Sequence, residues 1–445
     1  MNTLEQLRSG ALAGSRRLSL SCGLQTFPPE IFELADTLEV LDLSGNALTA
    51  LPDDLARLHQ LRIIFCSNNQ FTELPAVLGQ CQQLGMIGFR ANRIRAVPAA
   101  ALPTSLRWLV LTDNQLSELP PDIGRCTKLQ KLMLAGNRLQ ALPPEMAGCT
   151  RLELLRIAAN RFASLPDWLL RLPRLSWLAF AGNPLSETAA QTAMPMTRIG
   201  WRSLQMQHQL GEGASGVIYQ AVWLGGAPQP VAVKLFKGAM TSDGFAQSEM
   251  AACISAGAHP NLIAVHGQIA DHPTNACGLV MALVGPHFRN LAGPPSLASC
   301  TRDVYEAGTA FTLGAVIRLA MGVASAARQL HERGISHGDL YAHNILHSEA
   351  GDALLGDFGA ASFFAPGDVP LALALQRLEV RAFSCLLEEL LARCSPPALV
   401  QEAPEWQAAR QMLADLQAAC AHDNTAARPL FADIEQRLAS CRQGG

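Results

Sequence analysis

The sequence contains 12 cysteines but no Cys-x-x-Cys pair and no paired Cys/His cluster at zinc-binding spacing. These absences argue against a structural zinc site and against a dithiol redox centre. Cys81, Cys126 and Cys149 each precede a regularly spaced leucine by three residues, so we expect them to be small buried packing residues. Cysteines without such pairing are typical of a reducing compartment, and we expect a cytoplasmic protein.

Long apolar runs and an excess of positive charge are also missing. The first twenty residues contain no continuous apolar segment, so we expect no signal peptide. The longest apolar run, residues 310–327, is interrupted by Arg318, so we expect no membrane span. The formal net charge is −3 and neither half of the chain is strongly basic, so we expect no nucleic-acid partner.

A repeated pattern, L-x-x-L-x-L-x-x-N-x-L, occupies residues 38–185. Its units begin 22 or 23 residues apart, at Leu38, Leu61, Leu84, Leu106, Leu129, Leu152 and Leu175. The pattern resembles leucine-rich repeats, in which each unit buries its apolar face only by stacking on its neighbours. An irregular unit at residues 18–28 brings the number to about eight, and residues 1–17 are expected to form an N-terminal cap. The resemblance implies an α/β leucine-rich repeat solenoid over residues 1–185.

Each repeat also carries a recurrent asparagine and, in most units, a proline. We expect the asparagine side chains to bond backbone groups at the turn leaving each strand, which makes them structural: Asn46, Asn69, Asn92, Asn114, Asn137, Asn160 and Asn183. We expect the prolines to start the short convex helical segments, where no N–H partner is needed: Pro52, Pro75, Pro98, Pro120, Pro143 and Pro166.

The third and fifth residues of each unit are expected to line the concave face of the solenoid. The third residues are Val40, Ile63, Met86, Trp108, Lys131, Leu154 and Trp177, and the fifth are Asp42, Phe65, Gly88, Val110, Met133, Arg156 and Ala179. Most are apolar, although a solvated sheet face should be polar. An apolar face of this extent predicts a surface that binds a protein partner. Alternatively, the cap, the linker or the C-terminal domain covers it.

The second half of the chain contains motifs suited to phosphoryl transfer. Asp339 and Asn344 form an Asp-x-x-x-x-Asn, and Asp357 begins an Asp-Phe-Gly. Upstream, residues 210–217 read LGEGASGV and residues 231–234 read VAVK. Together with a glutamate at position 249, these elements in this order resemble the eukaryotic-type protein kinases. The resemblance implies an α+β, two-lobed protein kinase domain over residues 203–445, after a linker at residues 186–202.

The kinase resemblance implies a role for each of these residues. Asp339 would orient the acceptor hydroxyl, and Asn344 with Asp357 would hold Mg²⁺. Lys234 would grip the ATP phosphates, positioned by Glu249, which is the only glutamate between Lys234 and Asp271. The implied nucleotide-binding set consists of the glycine-rich loop, the strand that follows it and the hinge: Leu210, Gly211, Gly213, Gly216, Val217, Ala232, Lys234, Met281 and Leu283. Met281 is the expected gatekeeper, although a methionine in an apolar strand is also an ordinary core residue.

Three departures from the kinase pattern bear on function. Gly338 replaces the arginine with which family members sense a phosphorylated activation loop. Between Asp357 and Glu379 there is no Ala-Pro-Glu, so the shelf that holds a substrate peptide is shortened or remodelled. Tyr341 stands where serine/threonine kinases have lysine and tyrosine kinases usually have alanine. This position therefore does not decide the class of acceptor.

The sequence favours an ATP- and Mg²⁺-dependent protein kinase that phosphorylates a hydroxyl side chain of a partner recruited by the repeats. We expect serine or threonine as the acceptor. Two alternatives remain open. A pseudokinase scaffold would only bind proteins, although Lys234, Asp339 and Asp357 are all present. A small-molecule phosphotransferase would account for the His-Gly-Asp triplet at residues 337–339, which also occurs in antibiotic kinases of related fold.

Overall fold

The computed structural model describes residues 2–186, 197–213, 215–238, 241, 243–394 and 404–443. The chain divides into two compact units, Met1–Arg174 and Leu175–Gly445. Most of the expected linker, residues 187–196, lies outside the described residues, and the expected domain limits at residues 185 and 203 stay a prediction. Among the described residues, no helix combines the length and hydropathy needed to cross a bilayer.

The first unit is built on a parallel sheet of three-residue strands that pair in chain order, one from each repeat. They are β1 (Arg17–Ser19), β2 (Val40–Asp42), β3 (Ile63–Phe65), β4 (Met86–Gly88), β5 (Trp108–Val110), β6 (Lys131–Met133) and β7 (Leu154–Arg156). The middle residue of each strand points into the core, as Leu41 and Ile64 do, because side chains alternate along a strand. This sheet confirms the predicted leucine-rich repeat fold.

The asparagines form the expected ladder between repeats. The Nδ2 group of Asn69 donates to the carbonyl of Leu43 at 2.9 Å, and its Oδ1 accepts from the backbone N–H of Leu48 at 2.9 Å. Asn92 makes the same kind of bonds one repeat later, to Cys66 and Phe71. These side chains satisfy buried backbone groups that the short strands leave unpaired.

Short helical segments form the opposite side of the repeats. Five of the prolines, Pro75, Pro98, Pro120, Pro143 and Pro166, stand immediately before such a segment. The last of these segments is helix α2 (Asp167–Leu170), whereas the N-terminal cap contains helix α1 (Leu4–Arg8), which starts at the capping residue Thr3. Cys81, Cys126 and Cys149 are buried and unpaired, as expected.

The second unit begins with strand β8 (Trp177–Ala179), the strand of the last repeat, and continues into a six-stranded mixed sheet. The sheet order is β10-β11-β12-β14-β13-β9. Its strands are β9 (Arg198–Gly200), β10 (Leu204–Glu212), β11 (Gly216–Trp223), β12 (Gln229–Phe236), β13 (Val265–Ala270) and β14 (Gly278–Ala282). Helix α3 (Ala246–Ser255) packs against this sheet through Ala246 and Met250.

The rest of the second unit is mainly helical. Helix α4 (Leu313–Glu332) precedes the catalytic loop, followed by α5 (Val369–Ala392), α6 (Pro404–Cys420) and α7 (Phe431–Gln443). Five short strands carry the loops of the site: β15 (Arg289–Asn290), β16 (Ile335–Ser336), β17 (Ile345–His347), β18 (Ala353–Leu355) and β19 (Ser362–Phe363). This mixed sheet followed by helices confirms the α+β fold class predicted for the second half of the chain.

Helix α5 begins at Val369, ten residues before Glu379, where the sequence resembles the start of the central kinase helix. Its N-cap is Asp368, whose carboxylate accepts from the backbone N–H of Leu371 at 3.3 Å. The segment between Asp357 and this helix is therefore only 11 residues long, residues 358–368. The activation segment is therefore short, and a shortened or remodelled shelf for a substrate peptide stays a prediction.

Candidate active site

Lys234 and Glu249 form a buried ion pair between strand β12 and helix α3. Their exposed fractions are 9% and 2%. Burial by itself would lower the pKa of Lys234, but the nearby carboxylates of Glu249 and Asp357 outweigh it and hold the pKa above its ordinary value. Lys234 therefore stays charged, as a residue that grips phosphate oxygens must.

The glycine-rich loop connects the antiparallel strands β10 and β11. Gly211 lies opposite Ile218 in this pair, and the N–H of Gly213 donates to the carbonyl of Gly216 at 2.9 Å. A Cβ atom at Gly216 would lie 2.5 Å from the carbonyl oxygen of Leu235 on β12. Only glycine permits this close approach of the two strands. The residue at position 214, inside the loop, lies outside the described residues.

The other residues of the expected nucleotide-binding set fall on or beside neighbouring strands. Ala232 on β12 is paired with Met281 on β14, and Val217 is paired with Leu235. Met281 packs against a cluster that includes Met250 of helix α3, which is compatible with both the gatekeeper and the core interpretation. Leu283 directly follows β14 and is half-buried, whereas Leu210 is 45% exposed.

The catalytic loop brings Asp339 and Asn344 together. The amide Nδ2 of Asn344 donates both to the carboxylate Oδ2 and to the backbone carbonyl of Asp339, at 2.9 Å each. His337 braces the same loop, because its Nε2 bonds the carbonyl of Gly356 at 2.9 Å and its Nδ1 accepts from the N–H of Asp339 at 3.3 Å. Asp339 is therefore held by bonds from two directions.

Asp357 stands at the start of the activation segment with an exposed side chain. Its φ is 51°, in the left-handed region that aspartate tolerates better than most residues. Its Oδ1 accepts from the N–H of Gly359 at 3.1 Å. The next residue, Phe358, is buried with its ring 5.1 Å from that of His337, so packing of the phenylalanine holds the aspartate outward.

The oxygen atoms at this site suit Mg²⁺. The Nδ2 of Asn344 donates to Asp339, so the Oδ1 of the same side-chain amide lies on the side away from Asp339. Asp357 provides a carboxylate as a second oxygen ligand. Mg²⁺ sites typically use only a few oxygen ligands from the protein, such as carboxylates. Phosphate oxygens and water molecules supply the remaining ligands. Within the described ranges, no group of three or more His, Cys, Asp or Glu side chains is placed to hold a metal ion.

Glu379 supports the catalytic loop from helix α5, a role that the sequence did not suggest. One carboxylate oxygen accepts from the N–H of Gly338 and the other contacts Nε2 of His331. Burial would raise the pKa of Glu379, but His331, His337 and the Gly338 N–H together lower it below its ordinary value. The sequence does not single out Glu379, because helix α5 carries other charged residues such as Arg381 and Glu388.

His343 is paired with Asp303, which lies in a segment rich in Gly, Pro and Ser, residues 285–309. Its Nδ1 bonds the Asp303 carboxylate at 2.7 Å, and its backbone N–H donates to the same carboxylate at 3.0 Å. Burial would lower the pKa of His343, but Asp303, followed by Asp339 and Asp357, raises it above its ordinary value. This pair fixes the residue next to Asn344.

Comparison with known families separates the two halves of the chain. Residues 204–370 match the family of protein tyrosine and serine/threonine kinases, a range that includes every predicted nucleotide, catalytic and metal residue. Residues 127–185 match one leucine-rich repeat family, and residues 37–58 and 105–126 match another. The chain joins leucine-rich repeats to a protein kinase domain. The kinase match begins at strand β10 and ends at the start of helix α5.

Curated relatives resemble only part of the chain. An activated Cdc42 kinase-like protein of Drosophila melanogaster is 28% identical over 159 residues, which are 35% of this chain and 11% of that protein. A probable serine/threonine-protein kinase of Dictyostelium discoideum is 28% identical over 171 residues, 38% of this chain and 10% of that protein. The probable serine/threonine-protein kinase gdt4 of the same organism is 29% identical over 150 residues, which are 34% of this chain and 8% of that protein. The matched segment thus spans about a tenth of each relative.

Proposed function

We propose that this protein transfers the γ-phosphoryl group of ATP, with Mg²⁺, to a hydroxyl side chain of a protein, with serine or threonine as the expected acceptor. The observation that carries the proposal is the joint arrangement of the Lys234–Glu249 ion pair and the Asp339–Asn344 hydrogen bonds. A scaffold that only binds proteins does not need a buried charged lysine and an oriented aspartate. The match of residues 204–370 to protein kinases favours a protein substrate over a small molecule.

In this mechanism each residue positions or stabilises charge. The backbone from Gly211 to Gly216 covers the phosphates, and Lys234 holds them by its charge. Asn344 and Asp357 would hold the Mg²⁺, which would supply positive charge against the phosphates. Asp339 accepts a hydrogen bond from the acceptor hydroxyl and aligns it for in-line attack.

We further propose that the repeats recruit the protein partner on the strand face of the first unit. Phe65, Trp108 and Val110 are only half-buried there. The Nζ of Lys131 lies over the ring of Trp108, 4.3 Å from the ring centroid. Aromatic side chains on an apolar surface are typical of protein-binding faces. Towards the end of the unit the equivalent positions Leu154 and Arg156 are buried, so we assign recruitment to the earlier repeats.

The test is transfer from labelled ATP with Mg²⁺ by the full chain. Lys234→Met and Asp339→Asn should each lower the rate by at least about 10²-fold while the protein stays folded, since aligning and charge-stabilising groups contribute about this much. The matched controls are Lys128→Met and Asp113→Asn, which change exposed residues of the repeats and should leave turnover unchanged. Unchanged turnover in Lys234→Met or Asp339→Asn would contradict the assigned roles.

A further inference from the structure

Strand β8 lies against the catalytic loop within the second unit. The indole of Trp177 stacks on the ring of Tyr341, with centroids 4.0 Å apart and planes inclined by 7°. Its Nε1–H donates to the carbonyl of Leu340 at 3.1 Å. Trp177 is 1% exposed and Tyr341 is 5% exposed. Because Leu340 and Tyr341 directly follow Asp339, the indole holds the two residues next to the proposed catalytic aspartate.

The same end of the repeats also bonds the activation segment. The backbone N–H of Phe180, the residue after β8, donates to the hydroxyl of Ser362 at 2.9 Å. That hydroxyl donates in turn to the carbonyl of Ala360 at 3.3 Å. Ser362 belongs to β19, which pairs with β16 just before the His-Gly-Asp triplet. One short segment therefore contacts both loops that surround Asp339.

Gly338 explains why this contact and a phosphate-sensing arginine exclude each other. Its φ is +72°, which disfavours any side chain. A Cβ atom at this position would lie 2.7 Å from the carbonyl oxygen of Leu178 in β8 and 2.6 Å from that of Ala360. Arginine at position 338 would therefore require β8 to move away. The phosphate-sensing arginine of related kinases is therefore replaced by glycine at the position where β8 contacts the catalytic loop.

The strand is in place while the proposed catalytic groups are assembled. In the same structure Lys234 is paired with Glu249, Asn344 bonds Asp339, and Phe358 is buried beside His337. A segment that distorted the site in order to inhibit it would break at least one of these contacts. Support of the site is therefore the better explanation of the contact.

We propose that Trp177 is a positioning residue for phosphoryl transfer, through which β8 holds the catalytic loop and the activation segment in their working arrangement. It takes over the ordering that a phosphorylated loop and its arginine provide in the kinases that this chain resembles. The kinetic consequences rest on the proposed kinase function. The structural consequence, that removing the indole loosens residues 338–344, can be measured without any activity.

The test compares Trp177→Leu with Trp168→Leu in the full chain. Trp168 is a half-buried tryptophan of helix α2, outside the strand face and the kinase domain. Trp177→Leu removes one aromatic stacking contact and one buried hydrogen bond, so kcat should fall about ten-fold. The KM for ATP should stay within about two-fold, because these contacts do not involve the Lys234–Glu249 pair. Amide hydrogen exchange should speed up at residues 338–344 and 360–364 in Trp177→Leu and not in Trp168→Leu.

A conservative variant separates positioning from folding. Trp177→Phe keeps an aromatic ring against Tyr341 but loses the Nε1–H donor, so its kcat and exchange rates should lie between those of the wild type and Trp177→Leu. If Trp177→Leu does not fold, faster exchange of residues 338–344 in Trp177→Phe supports the proposal, and unchanged exchange overturns it. A higher kcat in Trp177→Leu would identify β8 as an inhibitory segment and overturn the proposal, as would unchanged kcat and exchange. If the wild-type protein shows no phosphoryl transfer, the proposed kinase function is contradicted. The hydrogen-exchange result would still decide the positioning role of Trp177.

Discussion

Glu379 accepts a hydrogen bond from the backbone N–H of Gly338, so that a carboxylate in the middle of helix α5 holds the catalytic loop one residue before Asp339. The same carboxylate contacts His331 of helix α4. Because the group is 2% exposed, its charge is stabilised by these neighbours and by His337. The geometry of the catalytic loop thus depends on a buried residue of another helix.

We predict that Glu379→Gln destabilises the protein by about 3 kcal/mol at pH 7, because it replaces a buried carboxylate that accepts a hydrogen bond from the Gly338 N–H and contacts His331. The pKa of Glu379 is lowered in the folded state, so its contribution is present above the ordinary glutamate pKa and is lost as the pH falls through the folded value. The difference in unfolding free energy between wild type and variant should therefore shrink below about pH 4.3.

Urea unfolding at pH 7 and at acidic pH measures this difference. The matched control is Glu388→Gln on the same helix, whose carboxylate is 54% exposed and pairs with Arg302. Exposed pairs contribute about 0–1 kcal/mol, so the control should change stability little at either pH. An equal loss for Glu379→Gln at both pH values would show that its charge is not what stabilises the loop.

The pairing of His343 with Asp303 predicts a pH dependence of the opposite sign. The pKa of His343 is raised in the folded state, and the charged groups that face it, Asp303, Asp339 and Asp357, are all acidic. Its contribution to stability is therefore complete below the ordinary histidine pKa of about 6.5 and disappears as the pH rises through the folded value. The stability difference between wild type and His343→Gln should be larger at pH 6 than at pH 9.

Glutamine at this position can still donate a hydrogen bond to Asp303, so the variant removes mainly the charge. His208→Gln, a change of an exposed histidine on strand β10, serves as control and should show no such pH dependence. Urea unfolding of the three proteins at both pH values provides the measurement. A difference that grows between pH 6 and pH 9 would contradict the charged pair.

We predict that activity does not require phosphorylation of the activation segment. Ser362 is the only hydroxyl side chain between Asp357 and Glu379, and it is 0% exposed with both of its hydrogen bonds made inside the fold. Gly338 cannot read a phosphate. Phosphatase-treated protein should retain most activity, and Ser362→Ala should lose at most about ten-fold, because it removes two neutral hydrogen bonds.

Ser362→Asp sharpens this prediction. A phosphate mimic should place an unpaired charge in the buried site and lower activity more than alanine does. Transfer rates of the untreated, phosphatase-treated and variant proteins give the result. A large loss on phosphatase treatment would reveal a phosphate switch after all.

The short motifs could be predicted from the sequence because their chemistry is local. Within each motif, the residues that matter lie only a few positions apart. The order of the glycine-rich loop, the lysine strand and the two aspartate motifs along the chain is then enough to recognise them. Phe363 and Phe364 of the activation segment are buried. The repeat period likewise gave strands at the expected positions, since stacking demands the same apolar residues in every unit.

Contacts that join distant parts of the chain could not be predicted in this way. Asp303 lies 40 residues from His343, and Trp177 lies 163 residues from Leu340. Arg428 is buried, 2% exposed, and donates to the carbonyls of His422 and Arg377, the second of these 51 residues away. No spacing rule reports such pairings, because they arise only when the elements pack.

The last prediction concerns the strand face of the repeats. Phe65 leans over Gly88, where a Cβ atom would lie 2.5 Å from the Phe65 ring, so the ring has room only because residue 88 has no side chain. Phe65→Glu combined with Trp108→Glu would place two carboxylates on this apolar surface. The double variant should lose partner binding, because hot-spot contacts are apolar and aromatic, while ATP turnover by the kinase domain stays intact.

Pull-down of the partner and transfer from labelled ATP, measured on the same preparations, decide between two roles of this face. Ala99→Glu combined with Lys128→Glu changes two exposed residues away from the strands and should affect neither measurement. Loss of binding with intact turnover in the double variant would support recruitment. Aggregation, or a change in turnover when no partner is present, would mean instead that the face is covered within the protein itself, and recruitment by this surface would be wrong.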